Sequence, residues 1–258
     1  MRGRLLALAR GLPPVGLEEL EAHAALSRRT ERKYVVDAAI LTELVGALAR
    51  SHRVLEVGGA RLVGYESVYF DTPQLLGYRE HVQGRRRRFK CRTRRYGRDG
   101  PCFLEIKLRE GRGQSTKHRL ELPRDEHGVL SAVALDFVGE TLEAAYGRRP
   151  PAALRGVLRS SFERMTLGDL AAGERVTVDA ELVLGAPGAV EHRMGPGRAL
   201  VETKAPRSGG AAESLLRRLG ARPLEGCSKF CLGLALAHPH LTDNPFRPVL
   251  RAHFGGSP

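Results

Sequence analysis

The chain has 258 residues, of which 42% are hydrophobic and 28% charged, a globular balance that excludes a disordered polymer. Lys plus Arg number 42 against 29 Asp plus Glu, a net charge of +13. No run approaches the roughly 20 unbroken apolar residues of a membrane-spanning helix, and the opening apolar stretch is too short for a secretory signal core. The four cysteines, Cys91, Cys102, Cys227 and Cys231, lack paired CxxC spacing; a disulfide scaffold is excluded and a cytoplasmic location with reduced thiols is expected.

Residues 1–28 read as a basic, Pro-broken lead with a short amphipathic helix over 17–26. A period-two pattern begins at Arg29, where Arg29, Glu31 and Lys33 alternate with Thr30, Arg32 and Tyr34. Asp37 is placed to cap a helix carrying Ile40, Leu41, Leu44, Val45 and Leu48 on one face. Strands over 52–57 and 61–70 join through Gly58 and Gly59, and Asp71-Thr72-Pro73 opens a turn or helix through Tyr78. Strands over 86–95, 102–109 and 115–122 form the most β-rich part, and a helix over 129–146 ends at Arg148-Arg149-Pro150-Pro151. Further strands are expected at 157–167, 174–184, 189–194 and 199–204, then helices at 211–219 and 228–237 and an irregular tail. The organisation is a single domain over 29–240, with 241–258 as the tail.

The polar strand faces are almost wholly ionisable. Arg86, Arg88, Lys90, Arg92 and Arg94 share one face while Phe89 and Cys91 point the other way. Glu105, Lys107 and Arg109 form a second such face, Lys117, Arg119 and Glu121 a third, Arg175, Thr177, Asp179 and Glu181 a fourth, and Glu202 with Lys204 a fifth. On any one strand this is an ordinary solvated face. Taken together, adjacent rows of Arg repel one another on an open sheet, whereas a sheet closed into a barrel gathers them around a cavity that needs a polyanion to neutralise it. The few carboxylates there can hold a divalent cation, which takes oxygen ligands and bridges phosphates. The basic residues are 36 Arg and only six Lys (Lys33, Lys90, Lys107, Lys117, Lys204 and Lys229), so each retained ammonium hints at a chemical need that a guanidinium does not meet.

Nine segments in order carry a resemblance: Glu31-Arg32-Lys33-Tyr34, Val68-Tyr69-Phe70-Asp71-Thr72, Lys90-Cys91-Arg92-Thr93-Arg94, Phe103-Leu104-Glu105-Ile106-Lys107, Lys117-His118-Arg119, Phe162-Glu163-Arg164, Val176-Thr177-Val178-Asp179, Val201-Glu202-Thr203-Lys204 and Ser228-Lys229-Phe230. Together they resemble the VTC domain, the polyphosphate polymerase domain of the vacuolar transporter chaperones, within the triphosphate tunnel metalloenzyme superfamily. The resemblance implies an α+β fold, an antiparallel eight-stranded closed β-barrel with helices packed outside. It implies Lys33, Arg92, Arg94, Lys107 and Arg164 as catalytic phosphate ligands, and Lys90, Lys117, Arg119, Arg175, Lys204 and Lys229 as further phosphate or polyphosphate ligands. Glu202 would be the carboxylate for Mn2+ or Mg2+. The triphosphatase and cyclase branch opens with Glu-x-Glu-x-Lys; here the register gives Arg29-x-Glu31-x-Lys33, which favours the polymerase branch. The eukaryotic polymerases also carry an SPX domain and membrane helices, which this sequence does not display.

The activity implied is transfer of the γ-phosphoryl group of ATP to a growing inorganic polyphosphate chain, with no nucleic acid as partner. The alternatives are a triphosphatase using the same tunnel and a non-catalytic polyphosphate or nucleic-acid binder. A pI near 10.2 invites the last, but with 5% aromatics and no Trp, stacking platforms are scarce. Cys227 and Cys231 read as a structural pair rather than a metal site, and His238 and His240 as surface residues. Tyr69 and Phe70 are expected to pack the barrel against its helices, and Asp179 and Glu181 to pair with tunnel arginines or support a metal.

Overall fold

The computed structural model describes residues 1–23, 30–109, 115–150, 153–206 and 209–254. The chain begins with α1 (Arg2–Arg10), β1 (Pro14–Val15), α2 (Leu17–His23), β2 (Thr30–Val36), α3 (Ala38–Leu48), β3 (Arg53–Leu55), β4 (Val63–Asp71) and α4 (Leu76–Val82). It continues with β5 (Arg88–Tyr96), β6 (Cys102–Arg109), β7 (Ser115–Leu122), α5 (Ala132–Tyr146), β8 (Arg155–Asp169), β9 (Glu174–Gly185), β10 (His192–Arg193) and β11 (Ala199–Ala205). Three helices, α6 (Ala211–Arg218), α7 (Lys229–Ala237) and α8 (Arg247–His253), complete it.

Eight strands form one antiparallel path in the order β2-β11-β9-β8-β4-β5-β6-β7. Among the described residues the end strands β2 and β7 are not hydrogen-bonded to each other, so the expected closed barrel is instead a curved sheet with an open seam. Within the sheet, Lys107 stands directly opposite both Lys90 and Lys117 in the register. Side chains nevertheless reach across the seam: Lys107 Nζ of β6 lies 3.7 Å from Glu31 Oε2 of β2.

Alternation divides the sheet's two faces. The convex face holds two cores. Tyr34, Val36, Met165, Val176, Val178 and Val201 pack under α1, α3 and α6, while Val68, Phe70, Cys91, Leu104, Ile106 and Leu108 pack under α5. Helices do not stay outside, however. On the concave face Tyr69, Leu158, Leu182, Leu184 and Leu200 pack against Phe230, Cys231 and Leu234 of α7. Those apolar side chains must leave water, and α7 is the element that covers them. Gly233 permits the close approach: a Cβ there would meet the Leu158 side chain at 2.5 Å. The concave face thus has an apolar floor under α7 and a charged remainder.

Local chemistry explains the helix starts. Asp37 caps α3 as expected, accepting from the Ala39 and Ile40 N–H groups at 3.0 Å. Asp71 accepts from the Thr72, Gly77 and Tyr78 N–H groups, which ties α4 to the end of β4. Several segments differ from expectation. The lead contains α1, whose Leu5 and Ala9 are buried one helical turn apart, and the tail contains α8, whose Val249 is buried. Arg85, Arg86 and Arg87 precede β5 rather than extending it.

Candidate active site in the concave channel

Three ionic nests line the charged remainder. In the first, Arg92 donates from Nε and Nη2 to Glu105 Oε2 at 2.8 and 2.6 Å, and Lys117 Nζ donates to Glu105 Oε1 at 3.3 Å. Arg94 lies 3.9 Å from the same carboxylate and donates to Ser67 Oγ at 3.0 Å. In the second, Arg164 forks onto Asp179 at 2.5 and 2.8 Å, and Lys229 Nζ reaches the same carboxylate at 2.5 Å. In the third, Glu202 faces Lys204 at 3.1 Å and Lys33 at 3.9 Å. The register explains the third directly, because Glu202 of β11 pairs with Lys33 of β2 and Lys204 pairs with Glu31.

Burial alone would raise the carboxyl of Glu202, but Lys204, Lys33, Arg164 and Lys229 outweigh it and hold the group well below the usual range. Glu105 is likewise depressed, its burial overcome chiefly by Arg92, Arg94 and Lys117. Asp179 behaves the same way under Arg164 and Lys229. The cations do not all find such partners. Burial lowers the ammonium pKa of Lys90, which donates to Ser228 Oγ at 2.6 Å rather than to a carboxylate. Arg94 is depressed by burial and by its neighbour Arg92.

All six lysines of the chain therefore project onto this face, as do Arg92, Arg94 and Arg164, and Arg119 lies over the Phe103 ring at its edge, 4.6 Å from the centroid. Among the described residues, the carboxylates that pair with these cations are Glu31, Glu105, Asp179 and Glu202, and Glu121 shares the β7 face with Lys117 and Arg119. Arg175 is the one expected phosphate ligand directed elsewhere; its Nη2 donates to the Leu20 carbonyl of α2 at 3.4 Å. Arg29 lies outside the described residues. Glu181 does not share the face of Asp179. It sits at φ 53 where the β8–β9 register shifts, and it pairs with the Met1 amino group at 3.3 Å. That bulge inserts an extra residue and resets the alternation, so Leu182 and Leu184 take the concave side.

Three residues of the site were not anticipated. Tyr69 faces the channel rather than an outer helix: its hydroxyl accepts from Arg92 Nη1 at 2.9 Å and its ring lies 5.5 Å from Phe230. Burial opposes its ionisation, but Arg92, Arg94 and Lys229 prevail and bring it down to about 8. His81 of α4 packs edge-on to Phe230, its Nδ1 bonded to the Gly77 carbonyl at 2.7 Å, and burial together with Lys90 pushes its imidazole down to about 3. Tyr65 stacks on Phe162, and both rings lie within 6 Å of the Arg94 and Arg164 guanidiniums. Strand parity points Tyr69 and Tyr65 inward once the face of Ser67 is known; His81 carries no sequence signal.

A metal would find few donors. Among the described residues no group of three or more His, Cys, Asp or Glu side chains is poised to share one ion. Glu202 has Glu31 as its acidic neighbour, close enough to oppose Glu31 ionisation. One or two carboxylates completed by phosphate oxygens and water is a donor set that suits Mg2+ or a similar hard cation, so the residues present fit a substrate-bridging metal rather than a self-contained one.

The curved antiparallel sheet with its cationic concave face agrees with the triphosphate tunnel superfamily that the sequence resembles. The VTC domain model matches residues 28–238, and the chain belongs to the VTC domain family. Among solved structures, a Hippeastrum protein described as an adenylyl cyclase with a dominant triphosphatase activity aligns at 15% identity and a TM-score of 0.50, over 80% of this chain and 95% of its own. A protein from Pyrococcus horikoshii OT3 aligns at 16% identity and a TM-score of 0.43, over 79% of this chain and 95% of its own. A comparison with curated proteins returned no match. Among the described residues no helix is long and apolar enough to cross a membrane.

Proposed function

We propose that this chain binds the triphosphate of ATP along the channel and transfers its γ-phosphoryl group to the end of an inorganic polyphosphate chain. The observation that supports this most is the convergence of all six lysines and of Arg92, Arg94, Arg119 and Arg164 on one face, where among the described residues cations outnumber carboxylates. Phosphoryl transfer asks the protein chiefly for positioning and for stabilisation of charge. Arg92, Arg94 and Arg164 offer planar forks to non-bridging oxygens, and Lys33 and Lys107 act as point charges toward the acceptor. Lys90, Lys117, Arg119, Lys204 and Lys229 hold the remaining phosphates, with Arg175 joining if it leaves Leu20. A divalent metal, Mn2+ or Mg2+, held by Glu202 beside Glu31 would neutralise phosphate charge as the leaving group departs. The acceptor phosphate is already anionic, so the transfer needs no general base. The compartment expected is the cytoplasm.

The Hippeastrum protein's described triphosphatase activity favours a second reading, in which water is the acceptor in the same channel. Incubating the purified chain with ATP and Mn2+ and resolving the products on a gel separates the readings. A polyphosphate ladder supports the polymerase, orthophosphate alone supports the triphosphatase, and retained binding without turnover would reduce the channel to a binding site.

A further inference from the structure

A second cationic hollow lies away from the channel. A cleft of about 570 Å³ opens where the turn after β4, the start of β8 and the end of α7 meet. Arg79 of α4, Arg155 of β8, His238 at the end of α7 and His240 just beyond it line the walls, over apolar side chains that include Leu75 and Val157. Arg155 Nη2 donates to the Pro73 carbonyl at 3.5 Å, which keeps its guanidinium at the rim. The two imidazoles meet edge to face with ring centroids 5.8 Å apart. Among the described residues no Asp or Glu lines the cleft. Burial and the neighbouring His240 and Arg155 together lower the His238 pKa, the signature of basic groups crowded without a counter-charge.

We propose that this cleft is a second phosphate-binding site, in which Arg79 and Arg155 grip a phosphate group and His238 and His240 donate to it. Guanidiniums bind phosphate through paired N–H groups, and the volume admits a phosphate with an attached body. The phosphate comes from either a free oligophosphate or a nucleotide. The site shares no residue with the channel, so it stands whether or not the channel is a polymerase.

The test uses the whole chain with histidine-selective isotope labelling and tripolyphosphate as the probe. Signals from His238 and His240 are expected to shift on titration, both in the native chain and in a channel variant carrying Arg92→Gln and Lys107→Gln. The Arg155→Gln, His240→Gln double variant, which alters two exposed residues, is expected to lose the His238 response while turnover of ATP stays unchanged. Because the His238 pKa lies below the ordinary histidine value and a bound phosphate favours its protonated form beside Arg79, Arg155 and His240, affinity at the cleft should rise severalfold as the pH falls from about 7 to about 5. ATP binding there more tightly than tripolyphosphate would assign the ligand as a nucleotide, and equal or weaker binding as an oligophosphate. Histidine signals that stay still in the native chain, or a His238 response that survives the double substitution, would overturn the proposal.

Discussion

Lys107 and Glu31 approach to 3.7 Å although five strands separate β6 from β2 along the sheet path. The Lys107 side chain is half exposed, and an exposed pair of this kind contributes roughly 0–1 kcal/mol. Lys107→Met is therefore expected to leave the melting temperature almost unchanged. It should weaken tripolyphosphate binding by about tenfold or more, the loss of one charge-assisted hydrogen bond. Calorimetric melting and isothermal titration check both halves, and a large stability loss with unchanged affinity would make Lys107 a structural residue.

Asp179 is in the opposite position, buried between Arg164 and Lys229. Asp179→Asn leaves two interior cations uncompensated, which costs about 3–5 kcal/mol and lowers the melting temperature by roughly 6–20 °C. Tripolyphosphate should restore part of that loss by supplying the missing negative charge. A variant that melts like the native chain would show that the fork contributes nothing to stability.

Acid should dismantle the channel from its carboxylates. Glu105, Asp179 and Glu202 are all depressed in the folded chain, so on lowering the pH the unfolded chain takes up protons first. Their stabilisation is present above about pH 4 to 5 and is lost as pH falls toward the folded values. Melting temperatures measured from about pH 7 down to about pH 3 should fall steeply, and Glu105→Gln should flatten that dependence. An equal slope in native and variant chains would remove Glu105 from the account.

Tyr69 titrates on the alkaline side. With a folded pKa near 8 against about 10 in the unfolded chain, its ionisation adds stability as pH rises through that interval. The tyrosinate formed would occupy Arg92 and compete with phosphate. Phosphate affinity should consequently fall above about pH 8 in the native chain and hold steady in Tyr69→Phe. Ultraviolet titration of the phenol locates the pKa directly, and a midpoint near 10 would defeat the expectation.

Alternation and spacing made most of this fold readable. The strands of the main path and the lysine positions follow from period-two patterns, because a strand's side chains have only two directions to point, and the Asp37 cap follows from its place just ahead of an apolar helical face. Three things did not follow. The bulge at Glu181 lies inside an uninterrupted charged-apolar alternation and announces itself only through a φ of 53. The place of α7 depended on which sheet face its apolar surface would choose, and Leu182 and Leu184 joined the concave face only after that bulge. The open seam is a matter of how tightly the sheet curls, a property of the whole assembly that no single strand encodes.

The seam bears on how a long polymer would reach the basic groove. A ring stitched all round by backbone ladders admits a thread only by its tip. Here, among the described residues, the Lys107–Glu31 pair rather than a strand ladder spans the two flanks, so laying a filament in sideways along its length would not require a strand to unzip.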